Sequence, residues 1–305
     1  MKTLLAGWFS FEEMGASAGD LLACDVAHGW LREAGHDVDV ALAPPFSGGI
    51  DWRTADPTEY AQVVFVCGPF GNGPPLTDFL ERFTGVPLVG LNLSLLEPLE
   101  VWNPFDLLIE RDSSARAHPD LVFLAPPPRA PVVGVVLIDA QPEYGGRDRH
   151  EAANAMLRRL AASRDAAAIP IDTRLDVSNR GGLSSASQIE ALIARMDCVL
   201  TTRLHGMALA LKNGVPALAI DPVAGGGKIR RQAEVLGWPL VFDADCLDEN
   251  ALTAAFDWCL TAEARRHAAR CAAQAAASLG RALEEFLAGL AARRRVPDGM
   301  SHLAR

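Results

Sequence analysis

The sequence lacks three features that would place it at once in a broad class of proteins. It contains no uninterrupted apolar run long enough to span a membrane, and the stretch Met1–Trp8 is too short for the apolar core of a signal peptide. Basic residues are not in excess, because 38 acidic residues outnumber 28 basic ones and give a formal net charge of −10. These absences predict a cytoplasmic protein without a transmembrane segment, and they argue against nucleic acid as its partner.

Cysteine pairs are absent as well. The six cysteines are scattered without a C-x-x-C pair, and the histidines have no spacing typical of metal ligands. We therefore expect reduced, mostly buried thiols, no disulfide framework and no metal site. We also expect no other cofactor. Cys67 precedes a glycine-rich segment, but without a paired base we interpret it as a buried structural thiol.

Apolar residues, in contrast, are plentiful. They make up 50% of the 305 residues, enough for the cores of two domains. Short apolar strands alternate with helical segments, which is typical of parallel sheets covered by helices. The proline-rich run Pro126–Pro131 can continue neither a helix nor a central strand. We therefore predict two Rossmann-like α/β domains, an N-terminal one at 1–128 and a C-terminal one at 129–305.

Two segments at the domain ends receive specific predictions. Leu121–Leu124 is a candidate last strand of the first sheet. The alanine-rich segment Thr261–Arg295 is rich in helix-forming residues and is interrupted by Gly280. It predicts a C-terminal helix or helix pair, broken once near that glycine, that packs across the domains.

The most informative segment, residues 198–216, joins a strand, a helix and a second strand. Its apolar start is typical of a buried parallel strand, and Thr201 or Thr202 is expected to cap the following helix. Gly214 is expected to end that helix.

Arg203 and His205 then lie at the N-terminus of this helix. Free N–H groups and the helix dipole favour negative charge there, so the pair predicts an anion-binding corner with His205 as an acid or base. The structural alternatives are an ion pair between Arg203 and an acid such as Asp197, and a histidine that only satisfies a backbone carbonyl.

Three further residues are candidates for ligand binding. Lys228 follows three consecutive glycines, but Ile229 stands where a Walker A motif needs Ser or Thr, so we predict only a glycine-rich loop that carries a lysine. Arg111 beside Asp112 is either a surface ion pair or an anion clamp. Asp20 begins a helix and could equally be its N-cap.

Several of these motifs together resemble the polysaccharide pyruvyl transferase family. The resemblance lies in the R-L-H-G corner of Arg203–Gly206 with the helix before it, the G-V-P turn behind it and Lys228 downstream. Glu110–Ser114 is similar to the family's R-D-x-x-S segment, and Ala18–Asp20 resembles the end of its G-N-x-G-D loop. The asparagine of that loop is missing here, which leaves a small metabolite open as the acceptor.

The resemblance implies a glycosyltransferase-B-like pair of Rossmann-type domains and transfer of pyruvate from phosphoenolpyruvate to hydroxyls of a sugar, as in polysaccharide biosynthesis. It implies His205 as the catalytic residue, and Arg203, Lys228 and Arg111 as ligands of the donor's carboxylate and phosphate. Asp20 would belong to the acceptor side in the N-terminal domain, and the ligands would bind at the carboxyl ends of both sheets. Three alternatives stay open: a nucleotide-sugar glycosyltransferase of the same architecture, a homologue that acts on a small metabolite, and a protein that only binds its ligand.

Overall fold

The computed structural model of the protein describes residues 1–138, 142–177, 179 and 181–293. The chain divides into two compact units, Met1–Pro128 and Arg129–Arg305, and the division falls in the proline-rich run.

The first unit is built on a parallel sheet of five strands, in the order β2-β1-β3-β5-β7. Two short strands, β4 and β6, form a separate parallel pair. The elements are β1 (Lys2–Ala6), α1 (Ala18–Glu33), β2 (Asp37–Val40), β3 (Gln62–Val66), β4 (Pro69–Phe70), α2 (Leu76–Arg82), β5 (Leu88–Leu91), β6 (Ser94–Leu95) and β7 (Leu107–Ile109).

The predicted sixth strand of this unit is wrong, because Leu121–Leu124 forms a short 3₁₀ helix. The Asp120 carboxylate accepts a hydrogen bond from the Val122 N–H at 2.9 Å and so caps a helical turn. Leu121 is buried in the core that α1 also lines. Local capping and burial on one side thus favour a turn of helix over a further strand.

The second unit repeats the architecture with a parallel sheet in the order β12-β11-β10-β8-β9. All residues of β10 and β11 are buried, as expected for central strands covered by helices on both faces. The prediction of two Rossmann-like α/β domains is confirmed. The elements are β8 (Val132–Val136), α3 (His150–Ala162), β9 (Ala167–Pro170), α4 (Ala186–Ile193), β10 (Cys198–Thr201), α5 (Leu204–Lys212), β11 (Ala217–Asp221), α6 (Lys228–Leu236), β12 (Val241–Asp243), α7 (Glu249–Cys259) and α8 (Ala262–Arg293).

The C-terminal helix α8 runs without interruption, so the break predicted near Gly280 is wrong. That glycine is exposed with no neighbouring atom within 4 Å of where a Cβ would lie, and the helix tolerates it there. In the part of the chain that the structure describes, α8 packs against α5, α6 and α7 of its own unit. Arg294 and Arg295, included in the predicted helix, lie outside the described residues. Among the described helices, none combines the length and apolar character needed to cross a bilayer.

Candidate functional site

The corner between β10 and α5 depends on a glycine. A Cβ on Gly206 would lie 2.2 Å from the Thr201 Oγ1 and 3.0 Å from the Val136 Cγ1. Only glycine therefore lets the first turn of α5 lie this close to the ends of β8 and β10. This close contact explains why the R-L-H-G motif has a glycine, and it determines where Arg203 and His205 lie.

The two threonines do not cap α5, contrary to the prediction. Arg203 is the N-cap residue, and its side chain makes no capping hydrogen bond. Thr201 Oγ1 accepts from the Arg203 N–H at 2.9 Å and lies 2.8 Å from the Val136 carbonyl oxygen, to which it can donate. Thr202 Oγ1 accepts from the Ile138 N–H at 3.0 Å and donates to Asn154. The hydroxyls thus tie the strand ends together, and the side chain at the N-cap position leaves the start of α5 uncapped.

Gly214 ends α5 as predicted. It has a φ of +69° and directly follows the C-cap residue, Asn213.

Arg203 pairs with a carboxylate that the sequence did not indicate. Its Nη1 lies 3.6 Å from the Asp172 Oδ1, and the same carboxylate contacts Arg174 at 3.0 Å. Asp197, the example given for the structural alternative, instead accepts from the Val132 N–H at 2.8 Å and pairs with Arg265 at 3.2 Å. Asp197 precedes β10 and lies at the opposite end of that strand from Arg203, which explains why it cannot pair with it.

His205 is exposed on the first turn of α5. Within the described ranges its ring makes no hydrogen bond, so the bond to a backbone carbonyl expected of a purely structural histidine is not observed. An exposed imidazole at a helix N-terminus can reach a bound ligand without disturbing the core.

Lys228 is positioned by a buried carboxylate at the end of the neighbouring strand. Asp221, which is 1% exposed, accepts from the N–H groups of Gly227 at 2.8 Å and Arg230 at 3.1 Å. These bonds hold the glycine-rich loop and place Lys228 as the first residue of α6. The lysine is exposed and forms no ion pair with a described residue, whereas Arg230 pairs with Asp243 at 2.8 Å.

Arg203, His205 and Lys228 lie at one edge of the second sheet. Strands β10 and β11 are neighbours, and α5 and α6, which begin at their carboxyl ends, pack against each other. The starts of α5 and α6 therefore lie at this edge with an arginine, a histidine and a lysine, and the Asp221 carboxylate already binds two N–H groups at the start of α6. The arrangement favours a ligand with more than one negative group.

The other two predicted residues lie in the first unit. Arg111 follows β7; its Nη1 donates to Asp120 at 2.7 Å, its Nε donates to Asp112 at 3.2 Å, and its Nη2 contacts the Ser94 hydroxyl. Although burial would raise it, the pKa of Asp120 is lowered by hydrogen bonds from the Val122 N–H, Arg111 and Asn92. Arg111 is thus the centre of a half-buried cluster rather than one half of a surface pair.

Asp20 is not the N-cap of α1. Ser17 has that position, and Asp20 is the third helical residue in a reciprocal capping box with it. The Asp20 Oδ2 accepts from the Ser17 N–H at 2.8 Å and from its hydroxyl at 2.7 Å.

Cys67 is a buried thiol at the end of β3, as interpreted from the sequence. It is 2% exposed, burial raises its pKa to about 11, and Asn92 donates to its sulfur at 3.0 Å. Cys67 and Asn92 both adopt left-handed backbone conformations, with φ of +65° and +57°. A protonated, enclosed thiol is not a nucleophile.

Sequence reasoning missed the acidic residues that support the site. Asp172 follows β9 and Asp221 ends β11, and each contacts a predicted site residue or its loop. An aspartate at the carboxyl end of a predicted parallel strand was the available signal. Among the residues that the structure describes, no group of three or more His, Cys, Asp or Glu side chains is placed to hold a metal ion.

Solved structures that this chain resembles include several glycosyltransferases. The calicheamicin glycosyltransferase CalG4 is 16% identical, with 97% of this chain and 99% of that chain covered and a TM-score of 0.35. The spinosyn rhamnosyltransferase SpnG, complexed with thymidine diphosphate, is 15% identical over 93% and 100%, with a TM-score of 0.36. MurG from Acinetobacter baumannii is 10% identical over 90% and 94%, with a TM-score of 0.29. Likeness this distant does not extend to substrate or reaction.

No curated protein matches the sequence. The model of the polysaccharide pyruvyl transferase family, in contrast, matches residues 18–222. The match covers more than half of the 305 residues, and it includes Asp20, the Arg111 cluster and the corner formed by Arg203 and His205. The protein therefore belongs to the polysaccharide pyruvyl transferase family and is a transferase.

Proposed function

We propose that this transferase uses phosphoenolpyruvate as its donor and moves the pyruvyl group to a hydroxyl-bearing acceptor that contains a sugar. The observation that carries the proposal is the edge of the second sheet, where Arg203, His205 and Lys228 lie at the starts of two adjacent helices. Phosphoenolpyruvate has two anionic groups, a carboxylate and a phosphate, and this edge offers two places for them.

Each anionic group has a suitable partner. The planar guanidinium of Arg203 suits a carboxylate or a phosphate, and the Asp172 carboxylate lies 3.6 Å from its Nη1. Lys228 has no competing ion pair among the described residues, so a ligand phosphate does not have to displace one. The uncapped N–H groups at the start of α5 supply further donors.

The reaction requires a proton at the methylene carbon of the donor, which leaves positive charge at the adjacent carbon. An acceptor hydroxyl oxygen bonds to that carbon and loses its proton, and the bond between the carbon and the phosphate oxygen breaks with its electron pair leaving on phosphate. The carbon is then positive again. A second acceptor hydroxyl adds to it and loses its proton, which closes a ketal, or a methyl proton leaves, which gives an enol ether. His205 is the residue that gives or takes a proton in this sequence, and Arg203 and Lys228 stabilise the departing phosphate.

We assign the residues of the first unit by the same chemistry. Arg111 is proposed as a further ligand of the donor anion, and Asp20 as a residue of the acceptor side. The acceptor is either a glycan or a small hydroxylated molecule.

The donor is tested by thermal unfolding of the whole chain with phosphoenolpyruvate, UDP-sugars and GDP-sugars. A ligand that binds only the folded state at 100 times its Kd stabilises it by about 2.7 kcal/mol, so phosphoenolpyruvate is expected to raise the Tm and the nucleotide sugars are not. Hydrogen exchange should then show protection by phosphoenolpyruvate at the starts of α5 and α6.

Matched variants connect the effect to the site. Arg203→Ala and Lys228→Ala should lose the stabilisation by phosphoenolpyruvate, whereas Lys212→Ala, at the other end of α5, should keep it. Stabilisation by nucleotide sugars alone would assign glycosyl transfer instead, and stabilisation by neither class would contradict the proposed donor.

A further inference from the structure

A pocket of about 250 Å³ opens in the first unit. Its wall comes from the segments that follow β1 and β3 and from the first turn of α1. In open parallel α/β sheets this carboxyl edge is where ligands bind. The lining residues are Trp8, Met14, Gly15, Asp20, Gly68 and Pro69.

Trp8 is a rigid apolar wall of this pocket. Its Nε1 donates to the Pro69 carbonyl at 2.9 Å, and its ring lies 5.8 Å from that of Phe11. Gly68 has a φ of +80°, and a Cβ there would lie 2.0 Å from the Trp8 Cδ1, so the glycine lets the backbone lie against the indole. Because the indole N–H already has a partner, Trp8 offers a ligand its flat carbon surface and no free donor.

Asp20 supplies a hydrogen-bond acceptor beside that surface. Both hydrogen bonds from Ser17 go to its Oδ2, and its Oδ1 has no partner among the described residues. A carboxylate oxygen accepts up to two hydrogen bonds, so it suits neighbouring hydroxyl groups of a ligand. The six lining residues include no lysine, arginine or histidine, and the carboxylate repels an anion such as phosphoenolpyruvate.

We propose that this pocket binds a neutral sugar ring of the acceptor, with the C–H face of the ring on Trp8 and its hydroxyls donating to Asp20. Dispersion contacts with the indole favour a flat aliphatic ring face, and the carboxylate favours a ligand with adjacent hydroxyls. The volume lies below the roughly 300–1,000 Å³ of pockets for drug-sized ligands, so one ring fits rather than an oligosaccharide. Trp8 is then a specificity-determining residue. The inference rests on the proposed function for its role in catalysis, but binding itself is measurable without the donor.

The test is saturation-transfer NMR on the whole chain without phosphoenolpyruvate. The probes are the methyl pyranosides of glucose, galactose and mannose, with glucuronic acid as the charged match and glycerol as the acyclic control. At least one neutral pyranoside should receive saturation, and glucuronic acid and glycerol should receive much less. Absence of transfer to all three pyranosides would overturn the inference, as would equal transfer to glycerol.

Variants locate the binding. Trp8→Ala should weaken it at least tenfold and Trp8→Phe should retain most of it, whereas Trp30→Ala, an exposed tryptophan on α1, should change nothing. Because Trp8→Ala also removes packing, Met14→Arg provides a second test. Met14 is 42% exposed at the pocket, and an arginine there can pair with Asp20 without altering the core. Unchanged affinity in Met14→Arg and Trp8→Ala would contradict the proposal.

The outcome is separable from that of the donor experiment. If sugar binding depends on Trp8 but phosphoenolpyruvate does not stabilise the protein, the result would support the sugar pocket and contradict the proposed donor. If the protein transfers pyruvate and Trp8→Ala leaves the KM for the acceptor unchanged, the result would support the proposed reaction and contradict the sugar pocket. If one of the pyranosides binds, its affinity is compared with that of a disaccharide that ends in the same sugar. Tighter binding of the disaccharide identifies a glycan acceptor, and equal binding identifies a free sugar.

Discussion

His205 has the features of a residue kept for chemistry rather than for packing. It is exposed, and the described part of the chain offers its ring no hydrogen bond. His205→Ala should therefore lower turnover by about 10²–10⁴-fold, the usual contribution of an acid–base group, while the Tm stays within about 1 °C of the wild type. Steady-state release of phosphate from phosphoenolpyruvate and a thermal melt measure both quantities.

Lys212→Ala is the matched control for His205→Ala, because Lys212 lies on the same helix and forms an ion pair with Glu190. It should retain the wild-type rate. A His205→Ala rate within a few-fold of the wild type would remove this residue from the mechanism, and a large fall in Tm would make it structural.

Gly206 has no room for a larger side chain, whereas Gly280, another glycine inside a helix, does. A methyl group at Gly206 would collide with Thr201, so Gly206→Ala should destabilise the protein by about 1–3 kcal/mol. Gly280→Ala, in the exposed part of α8, should instead stabilise it by about 0.5–1 kcal/mol, because alanine is the better helix former. Urea unfolding of the two variants compares them directly, and equal effects would contradict the close approach of α5 to β10.

At the scale of elements, the loop between β11 and α6 depends on Asp221. This buried carboxylate holds three N–H groups, so Asp221→Asn should cost about 1–3 kcal/mol of stability and weaken phosphoenolpyruvate binding by displacing Lys228. Asp245→Asn is the control, because that carboxylate is exposed and, among the described residues, accepts from one N–H of the same loop, that of Gly225. Unfolding curves and calorimetric titration should show the smaller effect in the control. Normal donor binding in Asp221→Asn would mean that the loop does not position the lysine.

The cluster after β5 and β7 predicts a dependence of stability on pH. Asp120 has a pKa below its ordinary value of 3.8 in the folded protein. Its contribution is therefore complete above pH 3.8 and is lost as the pH falls from there through the lowered pKa of the folded state. Asp120→Asn should lower stability at neutral pH by about 1–3 kcal/mol and should flatten the loss in acid.

Urea unfolding at a series of pH values measures that dependence. Glu284→Gln, an exposed change on α8, should leave the curve as in the wild type. An Asp120→Asn curve parallel to that of the wild type in acid would show that the charge of Asp120 does not contribute.

At the scale of the whole molecule, the predicted donor ligands belong to different units. Arg111 lies in the first, and Arg203, His205 and Lys228 lie in the second. If Arg111 binds the donor, Arg111→Ala should raise the KM for phosphoenolpyruvate at least tenfold. It should also lower the Tm, because Asp120 loses its partner at 2.7 Å.

A second variant separates these two effects. Asp112→Asn disturbs the same cluster but leaves the guanidinium in place, so it should lower the Tm with little change in KM. An equal rise of KM in both variants would show that Arg111 acts only through the stability of the first unit.

The sequence by itself determined the class of fold, and it predicted the corner that we propose for the donor. Apolar strands that alternate with helical segments can be read from the local sequence. This pattern predicts a parallel sheet, because strands covered by helices on both faces must be apolar on both faces. The helix that begins at Lys228 and the end of α5 at Gly214 could be predicted from equally local preferences in the sequence. Arg203 and His205 could be assigned because they are adjacent to a predicted strand end.

Tertiary structure decided the partners of these residues. Asp172 contacts Arg203 although β8 lies between β9 and β10 in the sheet, and Asp120 contacts Arg111 from the start of a 3₁₀ helix that the sequence did not predict. No local spacing reveals either pair. The threonines tie strand ends instead of capping α5, because Thr201 bonds to the Val136 carbonyl in β8 and Thr202 bonds to the Ile138 N–H just beyond it. The pocket beside Trp8 was likewise hidden, because its wall is assembled from the ends of β1 and β3 and the start of α1, and a surface exists only where such segments meet in space.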